Sequence, residues 1–235
     1  MRRDVSKAVA SCRLPVAGCQ LPVTGHRPPA TGHRLLFTVH CLLFTVLLLS
    51  ACASVDPVLK VGLVGPFEGE NRAIGYDVIY SARLAVREIN AAGGIGGYRL
   101  ALVALDDSGD PELAAQTARS LALDPAVVAV IGHWGEETTA VAAPIYAAAG
   151  LPFLPAPAPV DPATLPADFR AAYEAITPFD ETPGPHAGPA YDAFQHLWQA
   201  LADAKESAGI IDRNSLRKAL SEMVAGCQWP VASCE

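Results

Sequence analysis

Val58-Leu59-Lys60-Val61-Gly62-Leu63-Val64-Gly65 is a short apolar run closed by Gly65-Pro66, and it reads as a buried strand. Arg72 to Asn90 follows, with Ile74, Val78, Ala82, Ala85, Val86 and Ile89 at spacings of three and four. That period is an amphipathic helix, ended by Gly93-Gly94. Tyr98 to Leu105 reads as a second strand, and Asp110-Pro111 opens a second helix with proline at its first position. Ala126 to Ile131 is a third strand, Thr138 to Ala149 a third helix stopped by Gly150, and Leu151 to Leu154 a short fourth strand. Strand and helix alternate throughout. The expected fold class is therefore α/β, an open, mostly parallel sheet with helices on both faces.

Pro152, Pro155, Pro157, Pro159, Pro162 and Pro166 then interrupt regular structure and mark a linker or boundary. Helical patterns return at Ala167–Ile176, Pro189–Ser207 and Asn214–Met223. The middle one places Tyr191, Phe194, Leu197, Trp198 and Leu201 on one stripe.

The N-terminal side is of a different kind. Arg2, Arg3, Lys7, Arg13, Arg27 and Arg34 precede an apolar run from Leu35 to Leu49, which ends in Leu49-Ser50-Ala51-Cys52. Basic region, apolar region and small residues before a cut read as an export signal. The final four residues resemble the bacterial lipobox, which implies cleavage before Cys52 and a diacylglycerol thioether on its sulfur. The alternative is an uncleaved anchor, but 15 residues fall short of the roughly 17–25 that a spanning helix needs. Within the leader a seven-residue theme recurs from Leu14, Leu21, Pro28, Leu35 and Leu42, and Val224–Glu235 echoes it. Proline and glycine in the early units forbid a continuous coiled coil, so the repeats read as low-complexity sequence.

Beyond Cys52 the chain carries 11 basic and 23 acidic residues, a net charge of about −12. Such a surface repels phosphate backbones, and no nucleic-acid partner is expected. No cysteine lies between Ala53 and Gly226, which excludes a thiolate zinc cluster there. Cys227 and Cys234 can pair in an oxidising compartment or be passengers of the repeat. Asp106, Asp107 and Asp110 read as a solvated strand end and helix cap rather than a metal site, and neither metal nor cofactor is expected.

Five stretches occur in order: Val61-Gly-Leu-Val-Gly-Pro66, Ala85-Val-Arg-Glu-Ile-Asn-Ala-Ala-Gly-Gly-Ile95, Asp106-Asp-Ser-Gly-Asp-Pro111, Val128-Ala-Val-Ile-Gly132 and Ala143-Pro-Ile-Tyr146. Together they resemble the first lobe of the Leu/Ile/Val-type periplasmic binding proteins of ABC transporters. Phe169-x-x-x-Tyr173 and Tyr191-Asp-Ala193 resemble a later segment of the same family. The resemblance implies two similar lobes with ligand closed between them, yet here about fifteen residues stand where a second lobe is expected. The implied organisation is a leader over 1–51, a lobe over 53–155, a Pro-rich linker over 156–168 replacing the second lobe, a helical segment over 169–223 packing on the first lobe, and a tail over 224–235.

Ligands of open α/β sheets bind beyond the carboxyl ends of the strands. The loops there are Pro66–Asn71, Gly132–Thr139 and Pro155–Asp161. Candidate ligand-binding residues are Phe67 and Glu68 on the first loop, and His133, Trp134, Glu136, Thr138 and Thr139 on the second. Thr138 can cap the helix, Trp134 offers a flat wall with one donor, and Glu136 and Glu137 either meet ligand or complement the helix dipole. The resembled family offers small hydroxyl residues to a ligand carboxylate here; the two glutamates leave room for an amide, a sugar or a cation instead.

The expected function is a lipid-anchored extracytoplasmic solute-binding protein, or a one-lobe remnant of one, without catalytic activity. Its partners would be an amino acid, amide or similar small solute, an ABC permease implied by the resemblance, and a membrane through the lipid on Cys52. One alternative is an interaction module that forms a homodimer through the lobe face left uncovered. Another is a surface hydrolase, for which His133 is the one base at the strand ends.

Overall fold

The computed structural model describes residues 56–225. Cys52, the leader and the Cys227–Cys234 pair lie outside them. Four strands, β1 (Val58–Gly65), β2 (Arg99–Asp106), β3 (Val127–Gly132) and β4 (Phe153–Leu154), form one sheet in the order β2-β1-β3-β4, with every pairing parallel. The helices are α1 (Arg72–Ala91), α2 (Pro111–Leu123), α3 (Glu136–Ala148), α4 (Ala167–Glu174), α5 (Ala187–Ala208) and α6 (Arg213–Ala225). No helix among the described residues is long and apolar enough to cross a membrane.

All six residues of β3 are buried, as a central parallel strand requires. β4 keeps only two residues of the expected four. Pro152 and Pro155 flank it and have no N–H to give to a ladder. Between β1 and β3 the register slips at Lys60/Val61, so Val61 pairs with Ala129 and Val128 is skipped.

The sheet separates two cores. Leu59, Val61 and Leu63 of β1 and Ala129 and Ile131 of β3 face α1, α5 and α6. Val64, Val127 and Val130 face α2 and α3, with Leu121, Ala142 and Tyr146. Gly62 lets α2 approach: a Cβ there would lie 2.9 Å from Leu121 Cδ1. On the first face α1 and α5 meet through Ala82, Ala85, Ala190, Ala193, Ala200 and Ala204, small enough for close helix contact. The Ser81 hydroxyl donates to the Ala187 carbonyl at 2.7 Å in that interface. Phe194, Leu197 and Leu201 are fully buried, each worth about 1.5–3 kcal/mol of transfer energy. Tyr191, at the stripe's edge, donates instead to Glu88 at 2.6 Å. Phe169 on α4 stacks near Tyr191 at 5.1 Å and Tyr173 at 5.9 Å, which brings this short helix against α1 and α5. The C-terminal helices thus pack on the lobe.

Candidate functional site

In the order β2-β1-β3-β4 the chain leaves β1 to one side and returns on the other, so the switch point lies between the carboxyl ends of β1 and β3. β3 ends at Gly132, whose φ of 135° is closed to L side chains. A Cβ there would lie 2.1 Å from the Val64 carbonyl oxygen. This close approach of β1 and β3 starts the loop His133-Trp134-Gly135 that leads into α3.

The loop differs from its expected geometry at the helix start. Gly135 is the N-cap, in extended conformation and without a side-chain cap bond. Thr138 therefore sits inside the first turn, buried, with its hydroxyl donating back to the Gly135 carbonyl at 3.0 Å. The Thr139 hydroxyl donates to the His133 carbonyl at 3.1 Å. Each hydroxyl has spent its proton within the loop and offers an incoming group only lone pairs. The first backbone N–H groups of α3 have no intrahelical acceptor, and Glu136 and Glu137 occupy the same first turn. Donors and carboxylates are therefore side by side.

Two open hollows flank this helix start. One, of about 480 Å³, lies between the loop and the proline-rich segment, walled by Trp134, Glu136, Thr139, Pro155, Pro157 and His186. The other, of about 330 Å³, lies toward β1 and β2, walled by Pro66, Asn71, Gly109, Trp134, Glu136 and Glu137. Trp134 and Glu136 border both, and among the described residues no lysine or arginine lines either. Trp134 leans over Gly65, where a Cβ would meet its Cε3 at 3.3 Å.

Of the candidate residues, the structure brings Trp134, Glu136, Thr138 and Thr139 to these hollows. Phe67 and Glu68 line neither. Their backbone N–H groups instead donate to Asp106 at 2.7 and 3.2 Å, which ties the first loop to the end of β2. Burial opposes ionisation of Asp106, but hydrogen bonds from Ser108, Phe67 and Glu68 outweigh it and hold the carboxyl below its ordinary range. Glu68 is exposed, and Phe67 packs partly into the core.

His133 borders the larger hollow, but its side chain is 0% exposed. Its Nδ1 lies 2.6 Å from Asp107 Oδ2 and its Nε2 3.1 Å from the Tyr146 hydroxyl. Asp107 is equally buried, not solvated as its run of acids suggests, and its other oxygen accepts from Gly109 N–H at 3.0 Å. Asp110 does cap α2, accepting from Leu113 N–H at 2.9 Å. Nothing local in the sequence pairs Asp107 with a histidine 26 positions away.

His186 is not among the ligand-binding candidates of the sequence, which pairs it only with His196 as an improbable metal ligand, because it lies outside the three strand-end loops. Asp77 of α1 fixes its segment by accepting from Gly184 and His186 N–H at 3.1 and 3.2 Å. Burial lowers the His186 pKa, and the Asp77 charge offsets part of that.

A single doubly wound parallel lobe with its open edge at the switch point is the architecture of one half of a type I periplasmic binding protein. Residues 58–167 match the family described as periplasmic binding protein. An amino acid binding protein of Pseudomonas aeruginosa is 37% identical over 103 residues, covering 44% of this chain and 27% of that protein. The Leu/Ile/Val-binding protein of Escherichia coli K12 is 37% identical over 93 residues, covering 40% and 25%. The branched-chain amino acid transporter substrate binding protein LivJ of Streptococcus pneumoniae, solved with isoleucine, is 34% identical over 44% of this chain and 30% of that one, with a TM-score of 0.41. The matches span about a quarter of the length of the curated relatives.

Proposed function

We propose that the chain is a lipid-anchored, extracytoplasmic solute-binding component of an ABC importer for amino acids or similar small polar solutes, built on one lobe where its relatives have two. One observation carries the reading. At the switch point, the free N–H groups that open α3 stand beside Glu136 and Glu137, with Trp134 as an apolar wall. A zwitterion or amide needs that mixture, a donor edge for its oxygen and a carboxylate for its nitrogen. The names of the curated relatives agree in class. Anchoring rests on the lipobox at Cys52, and the permease partner rests on the family.

Titration calorimetry of the full chain against the common amino acids and their amides tests the reading. Saturable binding that Glu136→Gln weakens is expected; no saturable binding at any soluble concentration would remove it. Metabolic labelling with a fatty-acid probe tests the anchor: label on the wild type and none on Cys52→Ala supports it, and an unlabelled wild type overturns it.

A further inference from the structure

We propose that Asp107, His133 and Tyr146 form a buried chain that positions Trp134 and the start of α3, so that His133 acts on a ligand through its neighbours and not by touching it. The inference rests on reading this edge as the solute site, but its first test needs no solute.

The three side chains are at most 1% exposed. They come from three separate elements: the loop after β2, the loop after β3, and α3. An ionised carboxylate can only accept, so the contact at 2.6 Å places the His133 proton on Nδ1. Burial, then the negative charge of Asp107, keeps the Tyr146 hydroxyl protonated far above neutral pH. In a ring protonated on Nδ1 alone, Nε2 accepts from that hydroxyl at 3.1 Å. In that tautomer the chain runs Tyr146 O–H to Nε2 and Nδ1–H to Asp107, with both ring nitrogens of His133 partnered.

Its ends are fixed as well. Asp107 N–H donates to the Gly65 carbonyl at 3.1 Å, which attaches the chain to β1. Phe153 of β4 packs 5.0 Å from the Tyr146 ring and 6.1 Å from His133. The His133 carbonyl accepts from Thr139 in the first turn of α3. All four strand ends and the helix start thus meet at one buried imidazole. Trp134, the next residue, has its ring laid over Gly65 and can hold that pose only while the backbone at 133 is held. Among the described residues, Asp107 and Tyr146 meet the two ring nitrogens and Phe153 packs on the β4 side.

The test uses the full chain labelled with 5-fluorotryptophan, whose three fluorine lines report Trp134, Trp198 and Trp229; Trp134→Phe assigns the first. Asp107→Ala and Tyr146→Phe should shift and broaden the Trp134 line while the core Trp198 line stays in place. Asp107→Asn keeps an acceptor for Nδ1–H and should restore the Trp134 line toward its wild-type position. A purely structural role would lower stability without moving that line. A wild-type Trp134 line in folded Asp107→Ala and Tyr146→Phe overturns the proposal, and if the alanine variant does not fold, Tyr146→Phe decides alone. In calorimetry with the tightest amino acid or amide, Tyr146→Phe should weaken binding by about five- to tenfold, the equivalent of one net hydrogen bond. A moved Trp134 line in a wild type that binds no solute sinks the solute reading and leaves the positioning chain standing. Unchanged affinity in Tyr146→Phe, in a wild type that binds, overturns positioning for binding.

Discussion

Gly132 is the residue at which strand geometry becomes site geometry. Its positive φ and the Val64 carbonyl 2.1 Å from a would-be Cβ leave no room for a side chain. Gly132→Ala should cost about 3 kcal/mol or more in urea unfolding, from backbone strain plus the displaced β1–β3 pairing. Asp77 acts by charge. Burial, its leading influence, raises its pKa although the His186 and Gly184 N–H groups and the His186 charge pull the other way. A carboxyl raised on folding binds its proton more tightly in the folded state. Its contribution is full below the unfolded value of 3.8 and declines as pH rises through the folded value. Asp77→Asn should cost about 1 kcal/mol near neutral pH, because one of two N–H donors then faces an amide instead of an oxygen. The stability gap between wild type and variant should narrow as pH rises through that window; a gap that widens would show the sign to be wrong. Asp106 has the opposite sign, with its lowered pKa giving stability above 3.8 that is lost as pH falls through the folded value.

Among the elements, α6 is held by a contact invisible in its own pattern. Arg213 at its first turn donates to the carbonyls of Val127, Ala122, Asp124 and Ala149. Three of these cap the carboxyl ends of α2 and α3, where helix dipoles favour a cation. Arg213→Met should cost about 2 kcal/mol, and the last turns of α2 and α3 should exchange their amide hydrogens faster than the rest of those helices. A variant as stable as the wild type would show that the hydrophobic seat of Leu216, Ala219 and Met223 suffices. The same contrast explains what was legible beforehand. Strands β1 and β3 and helices α1 and α5 announce themselves through period and punctuation, because one buried face dictates many residues at once. The pattern places the start of α3 two residues late: a glycine cap has no side-chain signal, and Thr138 looks like a cap while serving the first turn. Asp107 and His133 were read apart, as solvated acid and ligand wall, because a pair 26 residues apart is made by the β1–β3 switch and not by spacing.

At the scale of the molecule, the hollows beside α3 are open, and affinity follows from how much of a ligand they can enclose. A site closed between two lobes removes most of a small ligand from water, whereas one lobe covers about half of it. A micromolar complex corresponds to about −8.2 kcal/mol, and forfeiting half of that leaves about −4.1 kcal/mol, in the millimolar range. The loss falls mainly on the apolar part of a solute, because both hollows are open to solvent beyond Trp134 and the residues beside it. The polar part keeps its partners at the α3 start, so selectivity among solutes should survive better than affinity. On the proposed solute reading, the monomer should therefore bind an amino acid or amide only in the millimolar range, and side-chain length should matter less than the presence of the ammonium or amide nitrogen. Calorimetry on dilute, light-scattering-verified monomer checks both. Micromolar or tighter binding there would mean that the loops of this single lobe fold over the ligand and enclose it without a second one.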